Sequence, residues 1–304
     1  MSRKYISEFG LNTLGHSVLL QQDGLDKLDQ IGLPEDMPLH IYMIARRPRI
    51  TLDPASIQID DKTVRGRFNI QRQNTLEPHD FILRDELGTA VLRIDCPYPH
   101  TECTIHYTNG QQVLGKAAVL MSLIPQYWPL LDLEVLYVGQ SSRAAPERLR
   151  NHSTLQEIYA EAFQRSPDQE IWLVLWNFQP SVLATFDGRA GNYDTTLEED
   201  DAHMKQVTHR LISEQQQINF TEAALIRYFQ PEYNVKFKNS FPSAAHESYS
   251  ECYEIDLNLI NVELQTEMIR SRLWSKSRAA SWVHFATFEF HSSEERRNMF
   301  EFAF

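Results

Sequence analysis

Five side chains, taken in chain order, are of types that act together on a phosphodiester bond: Tyr137, Arg148, His152, Glu222 and Asn234. A carboxylate such as Glu222 can hold a divalent metal. A guanidinium such as Arg148 can steady the charge that builds on a phosphate, and a phenol or imidazole can assist the attacking water. The spacing supports the grouping. Arg148 and His152 lie four apart on an expected helix, which sets their Cβ atoms about 5–6 Å apart on one face. Tyr137 stands two residues before Gly139 at the end of an expected strand. Glu222 is expected to open a later helix with Thr221 as its cap, and Asn234 lies shortly beyond that helix.

Each of these residues also has an ordinary reading. A tyrosine suits any half-buried strand, and Gly139 suits a turn. Glu222 is favoured by the dipole in the first turn of a helix, and Asn234 is a turn former. The order of the set, on alternating strand and helix elements, is what points to shared chemistry.

That order resembles the GIY-YIG nucleases. Tyr137-Val138-Gly139-Gln140-Ser141-Ser142 is similar to their second motif, and Arg148-Leu149-Arg150-Asn151-His152 to their helix motif. Residues 222–229 (EAALIRYF) resemble the metal-carboxylate helix, and Pro231-Glu232-Tyr233-Asn234 the closing asparagine element. The resemblance implies that Glu222 is the protein ligand of Mg²⁺ or Mn²⁺ and that Arg148 holds the scissile phosphate. Tyr137 would assist the nucleophilic water, His152 would position a tyrosine or phosphate, and Asn234 would fix the geometry. It also implies a tyrosine near the end of an opening strand. The expected opening strand, residues 117–124 (AAVLMSLI), has none, so Tyr107 and Tyr127 are the candidates. A lysine is common near the second motif of the family; Gln140 takes one such position here, with Arg143 as a possible substitute. Arg143, Arg150, Arg227, Lys236 and Lys238 are the expected phosphate contacts.

Two other clusters bear on chemistry. Cys96, His100, Cys103 and His106 could ligate zinc, though they are spaced more tightly than common zinc modules, and a strand pair is the stronger reading. Trp172 and Trp176, four apart on a strand, share a face and are expected in the core rather than as a base-stacking platform.

The elements that must position these groups divide into three segments. Residues 1–115 read as a β-rich domain for recognition or partner binding, with strands near 40–45, 63–68 and 90–94. Residues 116–240 read as the catalytic domain. In it, 117–124 and 133–139 pair as a hairpin, a helix covers 146–163, a strand 171–178 and a helix 203–217. Residues 241–304 form an extension with a helical pattern over 255–273 and a strand near 282–290. The expected fold class is α/β (α+β): a GIY-YIG-like core of a small antiparallel sheet flanked by helices, preceded by the β-rich domain.

Composition sets the outer limits. With 42% hydrophobic and 23% charged residues, the 304-residue chain can bury an ordinary core. No apolar run approaches the roughly 18–20 residues of a membrane span. Three cysteines and no apolar leader favour a cytoplasmic protein with free thiols. The formal net charge of −12 runs against general affinity for phosphate. Part of it is local, since five carboxylates fall within residues 194–201 (DTTLEEDD), most simply a solvated face. The expected function is metal-dependent cleavage of nucleic acid, DNA ahead of RNA, in defence, restriction or repair, with no membrane partner. Self-association or a protein partner through the first domain stays open. The alternative is a catalytically degenerate module of the same fold acting in binding or assembly.

Overall fold

The computed structural model describes residues 5, 7–30, 38–60, 63–84, 90–141, 149, 152–186, 195–209, 212–242, 252, 255 and 257–289. The chain opens with β1 (Ser7–Leu20), a 3-10 stretch (Gln22–Gln30) and β2 (Ile41–Pro48). A long excursion follows: β3 (Ile50–Leu52), β4 (Gln58–Asp60), β5 (Thr63–Arg72), β6 (Thr75–Arg84), β7 (Val91–Asp95), β8 (Glu102–Tyr107), β9 (Gln112–Lys116) and α1 (Ala117–Ser122). The chain returns as β10 (Leu133–Gln140), α2 (Ser153–Arg165), β11 (Gln169–Phe186), α3 (Leu197–His209) and α4 (Glu214–Phe229). It continues as β12 (Leu259–Gln265), β13 (Leu273–Ser275), β14 (Arg278–Ser281) and β15 (Val283–Glu289).

Eight of these strands make one sheet in the order β14-β13-β10-β2-β11-β1-β12-β15. The β1–β12 and β10–β13 pairs are parallel; the other neighbours are antiparallel. The expected α/β (α+β) core with a small antiparallel sheet is therefore corrected to a large mixed sheet. Its strands come from all three expected segments: β1 and β2 from the first, β10 and β11 from the second, β12 to β15 from the third. The strands of the excursion form two smaller sheets.

Both faces of the large sheet are covered, and side-chain alternation divides the strands between them. In β11, Trp172, Val174 and Trp176 join a core with Phe220, Ala223 and Phe229 of α4. Ile171, Leu173 and Leu175 join a second core with Leu155 and Ile158 of α2. In β2, Ile41, Met43 and Ala45 face α4 while Tyr42 and Ile44 face α2. A strand buried on both sides shows no polar alternation, which is why residues 40–45 read as nearly all apolar. Each such large side chain contributes about 1.5–3 kcal/mol on burial.

Three local expectations give way to tertiary context. Residues 117–122 form α1, not a strand; Ala117, Ala118 and Met121 are buried on one side, and alanine, leucine and methionine are strong helix formers. The hairpin partner of β10 is accordingly β2, with β13 on its other edge. The helical pattern at 255–273 is overridden by β12, whose Ile260, Val262 and Leu264 are buried as the strand pairs parallel to β1.

Candidate active site

β2 and β10 run antiparallel, so the beginning of one meets the end of the other. Tyr42, the second residue of β2, lies opposite Gly139. A Cβ at Gly139 would sit 2.5 Å from the Cζ and Oη atoms of Tyr42 and 2.7 Å from Cε1 of Tyr137. Glycine is required here by this close approach, not by a turn. The Tyr42 ring is fully buried. Its centroid lies 6.2 Å from that of Tyr137 and 5.5 Å from that of His152, and Tyr137 and His152 are 5.3 Å apart.

His152 caps α2. Its Nδ1 accepts from the Leu155 N–H at 3.2 Å, which satisfies one of the helix's unpaired donors. An Nδ1 so engaged leaves the ring proton on Nε2. The imidazole thus belongs to both the helix start and the tyrosine pair.

Glu222 approaches the same strand end from the opposite face. It does not open a helix: α4 begins at Glu214, and Thr221 is buried within it rather than capping. Gly139 and Gln140 are consecutive, so their side chains leave the sheet on opposite sides. Gln140 Nε2 donates to Glu222 Oε2 at 2.9 Å and to Asn219 Oδ1 at 3.0 Å. Asn219 and Glu222 are three apart and share a stripe of α4. Gln140 Oε1 is buried with no hydrogen-bond partner among the described residues. One carboxylate beside neutral amide oxygens is a hard donor set of the kind Mg²⁺ accepts while keeping several waters. Among the described residues, no group of three or more His, Cys, Asp and Glu side chains could hold a metal.

Asn234 secures the strand. Its Oδ1 accepts from the Val138 N–H at 2.9 Å and its Nδ2 donates to the Val138 carbonyl at 2.8 Å. The Tyr233 N–H donates to the Leu136 carbonyl at 3.0 Å, and the Tyr233 hydroxyl donates to Glu161 of α2. β13 pairs only with Leu133 and Glu134, so Tyr233 and Asn234 supply the partners that β10 lacks further along.

The remaining expected residues fall elsewhere. Tyr107 ends β8, opposite Val91 in the sheet of β7, β8 and β9. Tyr127 donates its hydroxyl to the Asp80 carbonyl within the excursion. Neither joins Tyr137; the tyrosine beside it is Tyr42 of β2. Arg143, Arg148 and Arg150 lie outside the described residues. Arg227 donates to the Lys238 carbonyl and to Asn239 Oδ1, anchoring the loop beyond α4, which leaves Lys236 more exposed than Lys238.

The zinc reading of the cysteine and histidine cluster does not hold. His100 Nδ1 meets the Cys96 carbonyl, His106 pairs with Asp95, and burial pushes the Cys96 and Cys103 thiols up to about 11 and about 12. The acidic run is partly structural. Thr196 and Glu199 exchange hydrogen bonds as a capping box on α3, and buried Asp200 accepts from both the N–H and the hydroxyl of Ser7.

No described helix is long and apolar enough to cross a membrane. Comparison of the chain with protein-family models, curated proteins and solved structures returned no match.

Proposed function

We propose that the chain is a metal-dependent endonuclease of the GIY-YIG type, hydrolysing phosphodiester bonds of nucleic acid, with DNA ahead of RNA as substrate. One observation carries the reading: Tyr42 and Tyr137 close over Gly139 while Glu222 is tied to the adjacent Gln140. Two phenols and an imidazole therefore gather on one face of a strand end, and a carboxylate is tied to the same strand end from the other face. Ile41-Tyr42 supplies the tyrosine that the resemblance requires on a partner strand, and it does so near the strand's start.

In this reading Glu222 holds Mg²⁺ or Mn²⁺, with Gln140 orienting the carboxylate. Bound there, the ion would polarise a phosphoryl oxygen and make a metal-bound water more acidic. By the resemblance Tyr42 and Tyr137 would assist the attacking water, which must then lie around the end of β10, because their rings and Glu222 stand on opposite faces of the sheet. His152, its Nδ1 engaged by α2, stands beside both tyrosine rings. Arg148, Arg143, Arg150 and exposed Lys236 are the residues assigned to the phosphate. Asn234 holds the end of β10 in line.

The net charge of −12 favours a second reading, in which the same end binds a partner or a metal without cutting. One assay separates the two. Wild type and Glu222→Gln are incubated with plasmid, single-stranded DNA and RNA, with Mg²⁺, Mn²⁺ or EDTA. The nuclease reading expects metal-dependent cutting by wild type and a loss of about 100- to 1,000-fold in the variant. Equal rates for the two proteins, or no cutting of any substrate, would overturn it.

A further inference from the structure

Against Thr221, one residue before Glu222 on α4, lies a cavity of about 310 Å³, at the small end of the range for ligand pockets. Its walls include His40, Asn177, Phe178, Glu214, Gln217 and Thr221. Glu214, Gln217 and Thr221 recur along one stripe of α4, while Asn219 and Glu222 on the neighbouring stripe address Gln140. His40 joins the two places. Its Nδ1 meets the carbonyl of Ser141, the residue after Gln140, at 2.9 Å, and its Nε2 lies 3.3 Å from Glu214 Oε1.

The polar lining is biased. Gln217 Nε2 donates to the Ile212 carbonyl at 2.8 Å, and Asn177 Nδ2 donates to the Pro38 carbonyl at 2.8 Å. Each amide thus commits one of its two N–H donors to the backbone and keeps its oxygen as an acceptor. The Glu214 carboxylate adds further acceptors. Phe178, stacked on Trp176 with centroids 5.9 Å apart, provides a fixed flat wall.

We propose that this cavity receives one nucleobase of the substrate, and that its acceptor-rich lining selects a base bearing an exocyclic amino group. The proposal rests on the nuclease reading, since the cavity is placed beside a scissile phosphate only if Glu222 is catalytic. Adenine, cytosine and guanine each present amino hydrogens to such a lining. Thymine and uracil would set carbonyl oxygens against Gln217 and Glu214. Phe178 offers the face against which the base lies.

The test measures binding of short single-stranded oligo-dA, oligo-dC and oligo-dT by fluorescence anisotropy, using Glu222→Gln protein so that the probes survive. Glu214 is exposed, so Glu214→Ala leaves the core untouched; Gln217→Leu removes the amide acceptor. Oligo-dA and oligo-dC are expected to bind about tenfold more tightly than oligo-dT, and each added substitution to bring the ratio towards one. Equal binding of all three, or a preference that survives both substitutions, overturns the base pocket. If wild type still cuts DNA in that case, the nuclease reading stands without it. If wild type neither binds nor cuts, both fall together.

Discussion

Tyr42 and Gly139 face each other across antiparallel strands, and the phenol of one occupies the space a side chain on the other would need. The two residues are far apart in sequence, yet neither position is free to vary alone. Gly139→Ala is expected to push the Tyr42 and Tyr137 rings aside, at a cost of about 1–3 kcal/mol from overpacking. Urea unfolding should show the loss, and cleavage should fall with it. A variant as stable and active as wild type would mean that the rings yield without consequence.

The assignment of the first-strand tyrosine can be checked by removing one hydroxyl at a time. Tyr42→Phe is expected to lower the cleavage rate by about 100-fold or more, as loss of a proton-transfer group does. Tyr107→Phe, in the sheet of β7, β8 and β9, should leave the rate unchanged. The reverse pattern would return the role to Tyr107.

Arg47 is buried beneath the sheet, with its Nε 2.9 Å from Glu170 Oε1 and its guanidinium 4.1 Å from the centre of the Trp172 ring. Burial lowers its pKa, while Glu170 opposes the shift. Glu170→Ala should cost about 3–5 kcal/mol by stranding a buried cation. Replacing both residues with apolar ones, Arg47→Met with Glu170→Leu, should cost less than the single change. Equilibrium unfolding of the three proteins decides it.

His284 should make stability depend on pH. Desolvation lowers its pKa from the usual 6.5, with nearby Arg278 acting in the same direction and backbone hydrogen bonds opposing. The neutral ring is well served, since Nε2 lies 3.0 Å from the Leu273 carbonyl and Nδ1 3.2 Å from the Tyr228 hydroxyl. The unfolded chain therefore takes up this proton more readily than the folded one. Stability is expected to fall as pH drops below about 6.5 and to level off below the folded-state value. Urea midpoints of wild type and His284→Gln across this range should diverge in that direction; parallel curves would rule out His284 as the source.

Much of this arrangement was legible in the residues. β5, β7, β10 and β15 lie close to where alternation and turn formers placed them, and Trp172 and Trp176 share a buried face as their spacing required. Tyr42 was not found, for a physical reason. Residues 49–132 separate the two strands of the pair, and nearest-neighbour reasoning joins residues 133–139 to the apolar run just before them. Closing a loop costs only about 0.6 kcal/mol per doubling of its length, so the chain can form the distant pair while local pattern points to the near one. Ile41-Tyr42 carries the signal, but within the segment that reads as the first domain. Glu222 was misplaced at a helix start because a threonine before a glutamate mimics a cap, whereas α4 had already begun at Glu214. The size of the sheet is hidden too, because β12 takes its strand form from lying between β1 and β15.

Asn234 has a consequence beyond holding Val138. Another strand laid along that margin would bring a whole backbone, with side chains above and below, past the end of β10 that Tyr42 and Gln140 flank. A lone carboxamide meets the same two backbone groups within the width of one residue. The margin is thereby capped without being walled, and whatever approaches that end of β10 meets a rim one side chain thick.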